Sequence, residues 1–264
     1  RAMDLGQYEP EIPAAFARIM LAERVKETRA LAGFTRIFPD NQQTLEQRRA
    51  LLWRTAPGPQ QAWLPAYVVY GEGIFLELDE RRLAGWEARP AVQRRLALLN
   101  QRYQGVQATR RLRARTLTPR FLLLHTLSHA IINRLTFECG YSSASLRERL
   151  YVSNNLRAPM GAVLIYTAAG DAEGTMGGLV RMGKSGYFEP MLRRAIETAR
   201  WCSADPVCME IGGQTGQGPD SCNLAACHSC GLVPETACEE FNRFLDRGVL
   251  IGDISNPDIG FFNG

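Results

Sequence analysis

Six of the chain's seven cysteines lie between positions 202 and 238, in the stretches WCSADPVC, SCNLAACHSC and ETAC. Cys227-His-Ser-Cys230 is a C-x-x-C knuckle, a tight turn that presents two thiolates to one tetrahedral ion. Cys202 and Cys208, on either side of Asp205-Pro206, are candidates for a second pair, although their spacing is wider than usual in such sites. Cys222, Cys238 and His228 are possible substitutes. Disulfides are the rival reading. They suit it less well, because an odd number of cysteines leaves one over and the remaining residues read as those of a cytoplasmic protein, where bridges are rare. A redox C-x-x-C should open a helix after a strand, whereas this one sits in a loop carrying Gly and Asn. Structural zinc follows, stapling a loop too poor in secondary structure to hold itself.

With 264 residues, 45% of them hydrophobic, the chain can bury a sizeable core beside that loop. It begins with Arg1 rather than Met, as a processed chain or part of a longer one would. Its longest apolar stretch, Phe121 to Ile132, is interrupted by His125, Thr126, Ser128 and His129 and is too short to span a bilayer. The chain therefore reads as soluble, without a membrane partner. The net charge is only +4, but no acid occurs between Glu87 and Glu138, while Arg89, Arg94, Arg95, Arg102, Arg110, Arg111, Arg113, Arg115, Arg120 and Arg134 accumulate there. Such a block can meet phosphates or an acidic protein partner, or be a solvated basic face.

Local signals predict a mixed α/β (α+β) fold. Phe16, Ile19, Met20 and Leu31 fit one amphipathic helix over Ile12 to Leu31. Ala66 to Tyr70 and Ile74 to Leu78 read as a hairpin turning at Gly71-Glu72-Gly73. Helical stretches follow at Arg81 to Trp86 and Ala91 to Tyr103, then a loose polar segment, Gln104 to Thr118. Thr118-Pro119 is a helix start and Gly140 a helix stop, so Pro119 to Cys139 should form a central buried helix about 30 Å long. Ser145-Leu-Arg-Glu148 has capping-box spacing and predicts a short helix. AVLIYT, Ala162 to Thr167, reads as a strand buried on both faces. Helical periodicity returns at Pro190 to Trp201 and Pro234 to Asp246. The organisation expected is an N-terminal helical and hairpin region with the basic segment, 1–117, and a zinc-binding domain, 118–264.

Three further motifs suggest enzymes. GLVRMGKSG, Gly178 to Gly186, matches the phosphate-binding P-loop letter for letter, but the preceding strand ends ten positions too early and Gly186 and Pro190 disfavour a helix starting at Lys184. His125-Thr-Leu-Ser-His129 puts two imidazoles on one helix face, as a metal site requires, without the glutamate of a hydrolase motif; two buried, hydrogen-bonded histidines are the alternative. Asp171 and Glu173 follow the AVLIYT strand, where ligand sites occur in open sheets and where turn chemistry also puts acids. A stand-alone P-loop ATPase using Lys184 and a metal-dependent nucleic-acid hydrolase using His125, His129 and Asp171 are thus the catalytic readings.

Several stretches in one order carry a resemblance. HTLSHAIINRLTFECGYSSASLRERLY, GAVLIYTAAGDAEGTMGGLV, ARWCSADPVCME and AACHSCGLVPETACEEFNRFLDRGVL resemble the DrmB subunits of DISARM bacterial phage-defence systems, and the zinc-binding module that closes MrfA-type DNA-repair helicases. The likeness spans about Leu117 to Leu250, and more loosely LAERVKETRALAGFTRI and YGEGIFLELD. It implies a non-catalytic accessory subunit that works beside a helicase-like ATPase, DrmA, and engages DNA through the complex. By motif it implies one zinc on Cys202, Cys208, Cys227 and Cys230. The wider first pair and the insertion Met209 to Ala226 depart from the module, with Cys238 the best alternate ligand. Arg110, Arg111, Arg113 and Arg115 would then contact nucleic acid or the partner.

Overall fold

The computed structural model describes residues 1–32, 44–52, 63–112, 114–155, 157–167, 177–253 and 255–263. In chain order its elements are α1 (Glu11–Ala15), β1 (Phe16–Ala30), α2 (Leu45–Ala50), β2 (Ala66–Leu78), α3 (Glu80–Glu87), α4 (Pro90–Arg110), α5 (Pro119–Cys139), β3 (Leu146–Ser153), β4 (Met160–Thr167), α6 (Gly178–Met182), α7 (Phe188–Ala199), α8 (Val207–Gln214) and α9 (Gly248–Ile251). The four strands form one antiparallel sheet in the order β1-β2-β4-β3. Residues from before and after position 118 share this sheet and one continuous core.

Helix α5 organises that core. It runs over the predicted span, because both ends are written locally: the Thr118 side chain accepts from the Phe121 amide, proline occupies the first turn, and Gly140 takes φ 68°. Between those caps the helix is apolar nearly all round. It packs on β3, β4 and α7, with Leu123, Leu124, Leu127, Ile132 and Leu135 fully buried. Each such side chain contributes about 1.5–3 kcal/mol by leaving water.

Four expectations are corrected. Residues after Ala15 form a strand, not a helix. A bulge between Phe16 and Arg18 inserts one residue, so Phe16 and Ile19 face the core three positions apart and imitate helical spacing. The Gly71-Glu72-Gly73 segment is the middle of one continuous strand, β2, rather than a turn. Its glycines serve close approach: a Cβ on Gly71 would fall 1.6 Å from the Thr167 carbonyl oxygen. Ser145 to Glu148 leads into strand β3, since the Glu148 carboxylate points into the core towards His125, His129 and Ser128 instead of reaching back to cap a helix. Pro234 to Asp246 is irregular, with Phe241, Asn242 and Phe244 all in the left-handed region, which no α-helix accommodates.

Two smaller differences matter for the site. Helix α4 continues through Gln104 to Arg110, and the segment behind it is held, Asn100 pairing with the Leu117 backbone and Gln107 donating to the Arg115 carbonyl. Strand β4 is interior to the sheet, but Val163 and Ile165 are buried while Leu164 and Tyr166 are half-buried, so only one face meets the core. Among the described residues no helix is long and apolar enough to cross a membrane.

Candidate metal centre

The chain after α7 is brought to the centre by hydrogen bonds rather than by periodic structure. The Asp205 carboxylate accepts from the Cys202 amide at 2.9 Å and pairs with Arg247, whose Nη1 donates to the carbonyl of Ala199 at the end of α7. This fixes the turn that leads into α8, where Cys208 lies in the first turn. The stretch from Met209 to Ala226 folds back on itself. Gln217 and Asn223 bridge, Gly212 packs against Leu224, and the Asn223 side chain holds the backbone of Asn242 and Leu245. That return brings the two ends of the long stretch between the pairs together. It delivers the Cys227-x-x-Cys230 turn, closed by amides of Cys230 and Gly231 on the Cys227 carbonyl, beside Cys208.

Here the thiols of Cys202, Cys208, Cys227 and Cys230 meet, all within 4.8 Å of one another. The Sγ separations are 3.5 Å for Cys202–Cys227, 3.7 Å for Cys208–Cys230 and 3.8 Å for Cys227–Cys230. A disulfide would require about 2.05 Å. Four sulfurs tetrahedrally around zinc, each about 2.3 Å away, would stand about 3.8 Å apart, so the donor set fits the ion. Donors converge on these sulfurs: the amides of Ala204 and Cys227 point to Cys202 and Cys230, and Gln217 Nε2 to Cys208. The hydrogen bond with Cys230, opposed by burial and helped by Gln217 and Arg247, lowers the Cys208 thiol, the direction that favours the thiolate metal binding uses.

The alternates do not join this group. Cys222 is buried apart from it, and burial pushes its thiol up to about 11. His228 faces a separate cavity with Asn133 and Pro234. Cys238 lies against His125 Nε2, 3.1 Å away.

The basic block has a destination that its own segment does not reveal. Arg95 bridges Asp246 and Asp253, Arg110 pairs with Asp220, Arg115 pairs with Glu240 and covers the Phe121 ring, and Arg102 donates to the Gln214 carbonyl. Buried Arg120 is clamped by Glu80 and Glu87. Asp220, Glu240 and Asp246 belong to the cysteine-rich region, which α4 and the residues behind it thereby grip. Arg111 caps α4 and is exposed, with φ 53°. Arg113 lies outside the described residues.

The catalytic motifs are differently placed. Lys184 follows Gly183, the C-terminal cap of α6, so no helix starts at the lysine. The N-terminal amides of α6 already have an anion: Glu72 accepts from Gly177 at 2.7 Å, Leu179 at 2.9 Å and Tyr141 Oη at 3.0 Å. A carboxylate of the chain itself thus fills the position a phosphate would take. His125 and His129 are 0% and 1% exposed, beyond reach of a nucleic-acid substrate. Asp171 and Glu173 lie outside the described residues, and the strand before them belongs to an antiparallel sheet, which removes the open α/β argument for a ligand there. Sequence reasoning missed Glu72 and Glu148; two acids in apolar strand sequence, Glu72 between glycines, were the available signal.

Comparison with known proteins agrees with this geometry. The model of the MrfA Zn-binding domain matches residues 127–231, a span that contains all four clustered cysteines. The chain is 33% identical along its whole length to the DISARM protein DrmB of Bacillus paralicheniformis and spans 47% of that relative. The domain match and the four-thiol cluster together make zinc its cofactor. The chain is a DrmB-like protein that carries an MrfA-type zinc-binding domain.

Proposed function

We propose that the chain is a non-catalytic part of a DISARM-type antiviral complex in the cytoplasm, binding a helicase-like ATPase, DrmA, and supporting the engagement of DNA. The observation that carries this reading is the four-thiol cluster: four sulfurs at tetrahedral spacing complete a coordination shell, which is the form of a structural zinc rather than one that activates water. Cys202, Cys208, Cys227 and Cys230 are its ligands, and the ion fixes the loop that faces a partner. Phe137 and Trp201, 82% and 71% exposed, together with exposed Val207, support a protein-binding face there. Trp201 and Val207 each precede a cluster cysteine, and Phe137 lines one cavity with Cys230. Large exposed apolar side chains mark such contacts. Residues 118–264 act as the zinc-binding accessory domain, and 1–117 supply the basic segment.

Arg110, Arg111, Arg113 and Arg115 contact DNA or the partner in this reading. Affinity purification of the tagged protein from its host, followed by mass spectrometry, should recover a helicase-like ATPase in near-stoichiometric amount; recovery of the chain alone would overturn the subunit reading. For DNA, Arg111→Ala is the cleaner substitution, since Arg110 and Arg115 also hold acids of the cysteine-rich region. Its loss should lower the salt-dependence slope of the complex's DNA affinity by about 1 if it neutralises one phosphate. An unchanged slope in the variant lacking all four arginines would remove DNA contact from this segment.

A further inference from the structure

A second group of metal-binding side chains lies in the core, apart from the four-cysteine cluster. His125 and His129 project from one face of α5, Glu148 points inward from β3, and Cys238 comes from the irregular C-terminal loop; all four are buried and their donor atoms lie within 4.8 Å of one another. We propose that His125 Nε2, His129 Nε2, Glu148 Oε1 and Cys238 Sγ bind a second zinc ion. His125 and Cys238 fall outside the matched zinc-binding domain, so this site is not the one that domain describes.

The orientation of the histidines is the first argument. Nδ1 of His125 lies 3.2 Å from the Phe244 carbonyl and Nδ1 of His129 2.8 Å from the Gly231 carbonyl. A carbonyl only accepts, so each Nδ1 carries the hydrogen and each ring, when neutral, turns its Nε2 lone pair inward. This is how metal-bound histidines are held. What those lone pairs meet is the second argument. His125 Nε2 stands 3.1 Å from both Glu148 Oε1 and Cys238 Sγ. His129 Nε2 is 3.8 Å from Glu148 Oε1, too far for a hydrogen bond, and is buried without any hydrogen-bond partner. A proton on His125 can serve one anion or the other but leaves His129 unsatisfied, a costly state for a buried nitrogen. A cation between the four donors satisfies them together.

Charge and geometry select the ion. Two neutral imidazoles, one carboxylate and one thiolate carry two negative charges, which a divalent ion cancels. Tetrahedral zinc with these donors sets edges of about 3.3–3.6 Å, close to the separations observed. Imidazole and thiolate select zinc over magnesium or calcium. The remaining lone pairs are held from outside: the Glu239 amide on Glu148 Oε1, the Ser128 hydroxyl on Oε2, and the amides of Glu240 and Asn242 on Cys238 Sγ at 3.3 Å and 3.2 Å. Four protein donors and full burial make the site structural, joining α5, β3 and the C-terminal loop.

The test is zinc content of the full chain, purified without chelator and measured by plasma mass spectrometry, with X-ray absorption at the zinc edge. About two zinc ions per chain are expected, with about five sulfur to three nitrogen or oxygen ligands summed over both. Cys238→Ser or His129→Gln should lose one ion and leave an all-sulfur spectrum, while Cys227→Ser should lose the other. One zinc with an all-sulfur shell in the unmodified chain would overturn the second site and leave the first. Should the variants fail to fold, the unmodified chain's ligand ratio decides alone. A shell containing nitrogen supports the proposal, since the four-cysteine cluster offers none.

Discussion

Helix α5 and the cysteine-rich segment from Cys202 to Arg247 meet at His125, Thr126 and His129, yet they are held by opposite means. The helix closes its own backbone hydrogen bonds, is capped at both ends by adjacent residues, and needs neighbours to cover an apolar surface and to pair a few buried side chains such as Arg120 and His125. The segment has one short helix, α8, and little periodic structure thereafter. Its backbone is satisfied by side chains that reach into it, Asp205, Gln217, Asn223 and Asn242 among them, and four thiols are left to gather around an ion. Stability that comes from burial is spread over many residues. Stability that comes from a ligand is concentrated at one point and lost at once.

The sharpest way to break that contrast is to remove the metal. Zinc binding at a structural site contributes about 10–16 kcal/mol, so Cys227→Ser should open 202–231 to amide hydrogen exchange while α5 and the sheet stay protected. Equal exposure of α5 would mean that the two regions form one cooperative unit. Next in size is Arg95→Ala, which leaves fully buried Asp246 without its partner and should cost about 3–5 kcal/mol in denaturant unfolding, with zinc retained. Leu127→Ala attacks the helix instead. It should cost about 2–5 kcal/mol by opening a cavity and lower the melting temperature without changing metal content. Loss of zinc from that variant would show the core supporting the site. The smallest effect belongs to Arg110→Ala, an exposed pair with Asp220 worth about 0–1 kcal/mol, and a larger loss would mark the contact as part of the grip on the cysteine-rich segment.

The same contrast explains what was legible before the structure. The start and stop of α5 are written in Thr118, Pro119 and Gly140, each next to the turn it controls. The meeting of the cysteines was legible in part, since C-x-x-C at Cys227 and Cys230 is a local geometry whereas the wider Cys202 and Cys208 pair is not. What could not be read depends on distance or on interruption of a period. The bulge at Phe16 gave a strand the spacing of a helix, and Glu148 stands where a capping box would put it although its partners are on α5. The acids that meet Arg95, Arg110 and Arg115 lie up to 158 residues further along the chain, so the charge of the block looked unopposed. Acids and amides that serve as clamps, such as Glu72 and Asn223, carry no periodic signal at all.

The pairing of α4 with later acids also has a consequence in time. As the chain leaves the ribosome, Arg95, Arg110 and Arg115 are made well before Asp220, Glu240, Asp246 and Asp253 exist to meet them. Until then the emerging segment carries concentrated positive charge beside the negatively charged ribosomal RNA, and the N-terminal strands lack β3 and β4 to complete their sheet. Residues after Asp220 therefore act as a lock on what was made before them, and a message cut short before Asp220 would yield a chain in which Arg95, Arg110 and Arg115 lack the acids they meet in the fold.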